Sequence, residues 1–101
     1  MKKILLVCSA GMSTSLLVSK MREEAANKSI EVEINALSIS ECSTVLDKVD
    51  IVLLGPQVRF HKANIEKQVA GRIPVDVIDM RLYGTMNGKA ILESTLEKLG
   101  E

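Results

Sequence analysis

A chain of 101 residues, 47% of them apolar, is the size of one compact domain that buries its own core without disulfide or metal staples. Its 13 basic residues balance 13 acidic ones and aromatics make up only 2%. That composition argues against a nucleic-acid surface of basic stripes and stacking rings and against a disordered charged tail.

Met1-Lys2-Lys3 stands directly before the apolar run Ile4 to Val7. The run is too short for a signal-peptide core or a membrane span. Cys8 and Cys42 lie far apart in sequence and read as thiols. Together these features predict a reduced, cytoplasmic protein with no membrane insertion.

Ile4 to Val7 is continuously apolar and predicts a strand covered on both faces. In the helix that follows, Leu17, Met21 and Ala25 share one face, while Lys20, Arg22, Glu23, Glu24 and Lys28 take the rest. Glu31 to Ala36 alternates polar and apolar and predicts an edge strand. Ser38-x-x-Glu41 has the form of a capping box and announces a short helix carrying Cys42, Val45, Leu46 and Val49. Ile51 to Leu54 is a second, continuously apolar central strand. Ile65 and Val69 mark a third helix, closed by Gly71 and Pro74. Val75 to Asp79 predicts another edge strand, and the last helix begins near Asn87 as N-cap, with Leu92, Thr95, Leu96 and Leu99 on one stripe.

Alternating strands and helices predict an α/β fold with a four-stranded parallel sheet. Right-handed crossovers with strands 2 and 4 at the edges give the order 2-1-3-4, flanked by helices on both faces in a flavodoxin-like arrangement. Ligands bind such sheets outside the carboxyl ends of the strands, where the connections diverge between strands 1 and 3. The loops there are Cys8 to Ser13 and Gly55-Pro56-Gln57.

From Ser9 to Ser15 every residue but Met12 is small or hydroxylated. A loop between a strand and a helix N-terminus offers unpaired N–H groups backed by the positive end of the helix dipole. Ser9, Ala10 and Gly11 leave the main chain unobstructed, so it can curl around a phosphate. Ser13, Thr14 and Ser15 add hydroxyl donors. Cys8 is expected at the mouth of this bowl, where the field favours thiolate over thiol and makes a nucleophile available. Met12 belongs to this phosphate-binding loop through its main chain; its side chain has no part in holding phosphate and serves either as a contact for protein partners or as inward packing.

The segments CSAGMSTSLLV, LLGPQV (Leu53 to Val58) and VIDMRLYG (Val77 to Gly84) resemble the enzyme IIB component of the lactose/cellobiose/chitobiose-type bacterial sugar phosphotransferase system. The likeness runs over essentially the whole chain and implies a single such domain over residues 1–101. It implies that Cys8 accepts a phosphoryl group from a phosphohistidine of the IIA component. The acceptor would be a β-disaccharide entering through the membrane-bound IIC component. No cofactor or metal is implied, no residues have metal-ligand spacing, and the sugar itself is not readable.

The same loop, and the fold with it, is similar to the low-molecular-weight tyrosine phosphatases, whose signature is Cys-x5-Arg-Ser. Here Thr14 occupies the arginine position and Ser15 the serine position. Without the guanidinium clamp on the transferring group, a phosphatase loses most of its rate, whereas a carrier gains a longer-lived thiophosphate. A cysteine-dependent phosphatase or arsenate reductase is therefore the alternative reading, and a non-catalytic anion-binding module the third. Gln57, Tyr83 and Asp79 are expected at the site rim: Gln57 as a donor to phosphate or a partner contact, Tyr83 as a ring covering the edge, and Asp79 as a general acid or a plain cap. His61 reads as a surface histidine and Cys42 as core.

Overall fold

The computed structural model describes residues 1–9 and 12–100, with the side chains of all these except 12–14. The elements in chain order are β1 (Lys2–Cys8), α1 (Met12–Asn27), β2 (Val32–Ser38), two 3-10 turns (Cys42–Thr44 and Leu46–Lys48) and β3 (Ile51–Leu54). A 3-10 segment (Pro56–His61) then leads to α2 (Lys62–Val69), β4 (Val75–Val77), α3 (Met80–Gly84) and α4 (Gly88–Lys98).

The strands form one parallel sheet in the order β2-β1-β3-β4, as their patterning predicts. Ile4 of β1 lies between Ile34 of β2 and Ile51 of β3. From Ile4 to Val7 and from Ile51 to Leu54 no residue is more than 3% exposed. Continuous apolar runs are the signature of strands sandwiched between layers, and side-chain alternation divides their residues between two cores.

Ile4, Leu6, Ile34, Ile51 and Leu53 face the layer of α1 and α4, meeting Leu17, Met21, Ile91, Leu92 and Leu96. Leu5, Val7, Val52 and Leu54 face the opposite layer, where Ile65 and Val69 of α2 join Cys42 and Leu46 of the 3-10 turns. The sheet is thus covered on both faces, and the stripes expected on α1 and α4 are buried except for Leu99, which caps α4 half-buried.

Helix ends follow local chemistry. Asn87 Oδ1 accepts the Ala90 N–H at 3.1 Å, the cap expected at α4. At the end of α1, Ser29 turns left-handed (φ 56°), and Ile30 N–H reaches Ala25 O at 2.9 Å, a Schellman closure. The left-handed turn closing α2 falls first on Ala70 (φ 52°) and continues through Gly71 (φ 75°).

Two elements differ from expectation. The capping box does not form: Ser38 ends β2, its hydroxyl meets the Glu41 carboxylate at 2.8 Å, and Glu41 stands before the first 3-10 turn with no side-chain cap. In place of a helix, two turns flank Val45 at φ −125°, ψ 4°, because the β-branched Thr44, Val45 and Val49 lower helix propensity over a stretch too short to nucleate one. Conversely, the segment after β4 winds into α3. Strand β4 stops at Val77, and Ile78 N–H makes one more bond, to Leu54 O at 2.8 Å.

Candidate functional site at the carboxyl end of the sheet

The carboxyl ends of β1 and β3 are drawn together by the Gly55 N–H, which donates to Val7 O at 2.8 Å. On the other side of β1, Ile39 N–H donates to Cys8 O at 2.8 Å. Cys8 is therefore the last residue of a central strand, pinned through its neighbour and its own carbonyl. α1 begins four residues later, at Met12.

The Cys8 residue is 2% exposed, and its Sγ lies 4.0 Å from Leu37 O. This departs from a sulfur standing bare at the mouth of the crevice. Among the expected phosphate-holding residues, Ser9 and Ser15 are exposed, and Ser15 O accepts the Ser19 hydroxyl at 3.2 Å. Ala10 and Gly11 lie outside the described residues, as do the side chains of Met12, Ser13 and Thr14. The expected curl of N–H groups around Cys8 and the two roles open to Met12 fall there.

The structure brings the other loops to the same end. Gln57 is exposed at the start of the 3-10 segment after β3. Tyr83 sits on α3 and is 7% exposed, with its ring in the core shared by α1 and α4. It flanks the site from within instead of lying over its rim, because α3 turns the residue inward. Asp79 is the N-cap of α3: its Oδ1 accepts the N–H groups of Arg81 (2.8 Å) and Leu82 (3.2 Å). That is the cap alternative, and it commits one carboxylate oxygen to the helix end.

Two residues near Cys8 carried no functional assignment from sequence. Ser38 is the register partner of Cys8, and alternation from the paired Ile4 and Ile34 turns both side chains to the same sheet face. Its hydroxyl is also 3.0 Å from Ser40 Oγ. The signal was present but also matched a helix cap. Gly55 is the other: a Cβ there would come 3.0 Å from Gln57 Oε1, 3.5 Å from Val7 O and 3.6 Å from Tyr83 Cε2.

His61 is exposed. Cys42 is buried, its Sγ 3.4 Å from Ile39 O, and burial pushes its thiol above the ordinary range. Leu16, Phe60 and Met80 are exposed by 54%, 78% and 66%. They stand on α1, the segment after β3 and the start of α3, all elements that leave the carboxyl edge of the sheet. Phe60 also carries the Arg59 guanidinium 4.5 Å above its ring.

Residues 3–94 match the family model described as "PTS system, Lactose/Cellobiose specific IIB subunit". The chain belongs to this family. It is 47% identical over 97 residues to the oligo-beta-mannoside-specific EIIB component of Bacillus subtilis (strain 168), covering 95% of this chain and 94% of that one. It is 47% identical over 98 residues to the cellobiose-specific EIIB component of Lactococcus lactis subsp. lactis (strain IL1403), covering 90% of each. Among solved structures, the lactose-specific IIB component domain of the phosphoenolpyruvate:carbohydrate phosphotransferase system from Streptococcus pneumoniae superposes with a TM-score of 0.87. It is 19% identical, over 96% of both chains, a likeness of fold.

As a IIB component of the phosphotransferase system, the protein is a phosphocarrier working with IIA and IIC components. Among its described residues, no helix is long and apolar enough to cross a membrane.

Proposed function

We propose that Cys8 is the residue that carries the phosphoryl group, within a single cytoplasmic domain. The thiolate attacks the phosphorus of a phosphohistidine on IIA in line; the N–P bond breaks, the S–P bond forms, and the imidazole nitrogen keeps the electron pair. A hydroxyl of the sugar presented by IIC then attacks the same phosphorus, and the thiolate leaves. Residues 9–15 hold the phosphoryl oxygens through main-chain N–H groups and hydroxyls. Positioning and electrostatics supply most of the rate.

The observation that carries this reading is the position of Cys8. It ends a central parallel strand, at the crevice between β1 and β3, just ahead of a helix N-terminus. Two further features favour carriage over hydrolysis: Thr14 stands where a phosphatase has arginine, and Asp79 is engaged as a helix cap. The apolar side chains of Leu16, Phe60 and Met80 suit docking by a protein face. Because Cys8 is 2% exposed, docking must also uncover the sulfur. The acceptor is a β-disaccharide of the cellobiose, chitobiose or lactose class. Relatives equally similar to this chain bear different sugar names, so the choice among them rests with the IIC component.

Incubation with phosphorylated cognate IIA tests the assignment. One phosphoryl group should appear on the Cys8 peptide by mass spectrometry, be absent from Cys8→Ser, and pass to sugar when IIC membranes are added. Label on His61, or rapid turnover of p-nitrophenyl phosphate by the isolated protein, would overturn it.

A further inference from the structure

Resting on the reading of Cys8 as the phosphoryl carrier, we propose that Gln57 donates a carboxamide N–H to the transferring phosphoryl group, and that Gly55 is glycine so that it can. Gln57 is exposed, and its carboxamide has no hydrogen-bond partner among the described residues. Its side chain nevertheless folds back over its own loop: Oε1 is 3.0 Å from the point a Cβ on Gly55 would occupy. Gly55 has φ −61° and ψ 151°, a conformation open to any residue. Its lack of a side chain therefore serves space, not backbone strain. Tyr83 Cε2 lies 3.6 Å from the same point.

The carboxamide thus lies over the Gly55 loop, beside the site. Gly55 is bonded to Val7, the residue before Cys8, at 2.8 Å. A half-turn about the last side-chain torsion exchanges oxygen and nitrogen, so the same placement presents either a donor or an acceptor. In the transfer, charge is spread over three equatorial oxygens while the N–P bond breaks and the S–P bond forms. One neutral N–H directed at one of those oxygens stabilises the passing group. It holds that group less firmly than a bidentate guanidinium would, which suits a phosphate that must leave again for sugar.

Three variants test this with phosphorylated cognate IIA as donor: Gln57→Ala removes the carboxamide, Gln57→Glu puts a carboxylate in its place, and Gly55→Ala pushes the carboxamide aside. A new Cβ at position 55 meets only the flexible Gln57 end closely, so the fold survives, and unchanged thermal midpoints verify that. Loss of one hydrogen bond to a charged group predicts transfer to Cys8 slowed roughly 10- to 100-fold in Gln57→Ala. Gly55→Ala is slowed in the same direction. Gln57→Glu is slowest at neutral pH and recovers as the pH falls and its carboxyl protonates, a profile that a purely structural role does not produce.

Wild-type transfer rates in both Gln57 variants, with Cys8 labelled, would overturn the proposal. So would a longer-lived phosphocysteine in Gln57→Ala at an unchanged transfer rate, which would make Gln57 a water-positioning residue. Absence of label on Cys8 in the unaltered protein is a different outcome and refutes the carrier assignment itself.

Discussion

Gly88, the first residue of α4, lies against the backbone of α1. A Cβ placed on it would sit 2.9 Å from Lys20 Cβ, 3.0 Å from Lys20 C and 3.0 Å from Met21 N. Ordinary contact begins near 3.4 Å, so Gly88→Ala forces the two helices apart by about half an ångström. Two of the three atoms are main chain, and Met21 and Leu92, beside the contact, are 0% exposed, so no side-chain rotation relieves the clash. Overpacking of this kind costs about 1–3 kcal/mol. Alanine's better helix propensity returns at most about 1 kcal/mol. A net loss of about 1–2 kcal/mol lowers the thermal midpoint of a domain this size by roughly 4–15 °C. Gly84 is the control: it ends α3 without a positive φ, and a Cβ added to it would meet nothing within 4 Å. Gly84→Ala is therefore neutral or stabilising by about 0.4–1 kcal/mol. Urea unfolding followed by circular dichroism should give a lower midpoint at unchanged slope for Gly88→Ala only. If Gly88→Ala proves as stable as Gly84→Ala, the close α1–α4 approach is wrong.

Asp76 and Arg22 give two further outcomes. Burial pushes the Asp76 carboxyl up, but the Lys98 ammonium and the Val77 N–H outweigh it and hold the group below its usual range. Its contribution to stability is thus present above the ordinary carboxylate value and lost as pH falls through the depressed folded one. Asp76→Asn should flatten the fall in urea midpoint below about pH 4, and an unchanged pH slope would contradict the pairing. Arg22 covers the free edge of the sheet. Ile39 N–H points to β1, so alternation turns the even-numbered backbone groups of β2 outward, and the Arg22 guanidinium takes the outward Ile34 carbonyl (Nε to O, 2.9 Å). Arg22→Ala costs about 1 kcal/mol and exposes a pairing edge. Concentration-dependent dimer in sedimentation velocity is the expected sign, and a strictly monomeric variant at high concentration would refute the edge role.

What the sequence makes legible depends on how many residues carry each signal. β1 and β3 are readable because four consecutive apolar residues fit little except a buried strand, and their place in the sheet follows from crossover chirality once the alternating strands are set at the edges. The stretch from Ser38 to Val49 misleads because one motif, Ser-x-x-Glu, fits two geometries. The hydroxyl–carboxylate contact forms at the end of a strand as readily as at a helix start, and only the partner strand decides. The buried positions Cys42 and Leu46 are still identified correctly, since the stripe that predicts burial does not require a regular helix. α3 escapes notice at five residues, although Asp79 followed by Arg81 and Leu82 held its cap. At the site, Cys8 is marked by the small residues after it. Ser38 and Gly55 are not, because one depends on strand register and the other on what a missing atom leaves room for.

A carrier and a hydrolase built on one parallel sheet differ in the groups they offer to attacking water, and on the proposed reading the differences in this chain act against it. On the proposed reading, a thiophosphate must outlast the search for a second protein, so each group that would speed attack by water is a liability. Asp79, the carboxylate expected at the site rim, has an oxygen committed to two helix N–H groups. The position that would supply a guanidinium holds Thr14. Cys8 itself is almost wholly covered, and on the proposed reading docking must uncover its sulfur. On that reading the docked partner supplies the remaining charge stabilisation, so transfer is rapid in the complex and hydrolysis of the phosphorylated protein alone is slow.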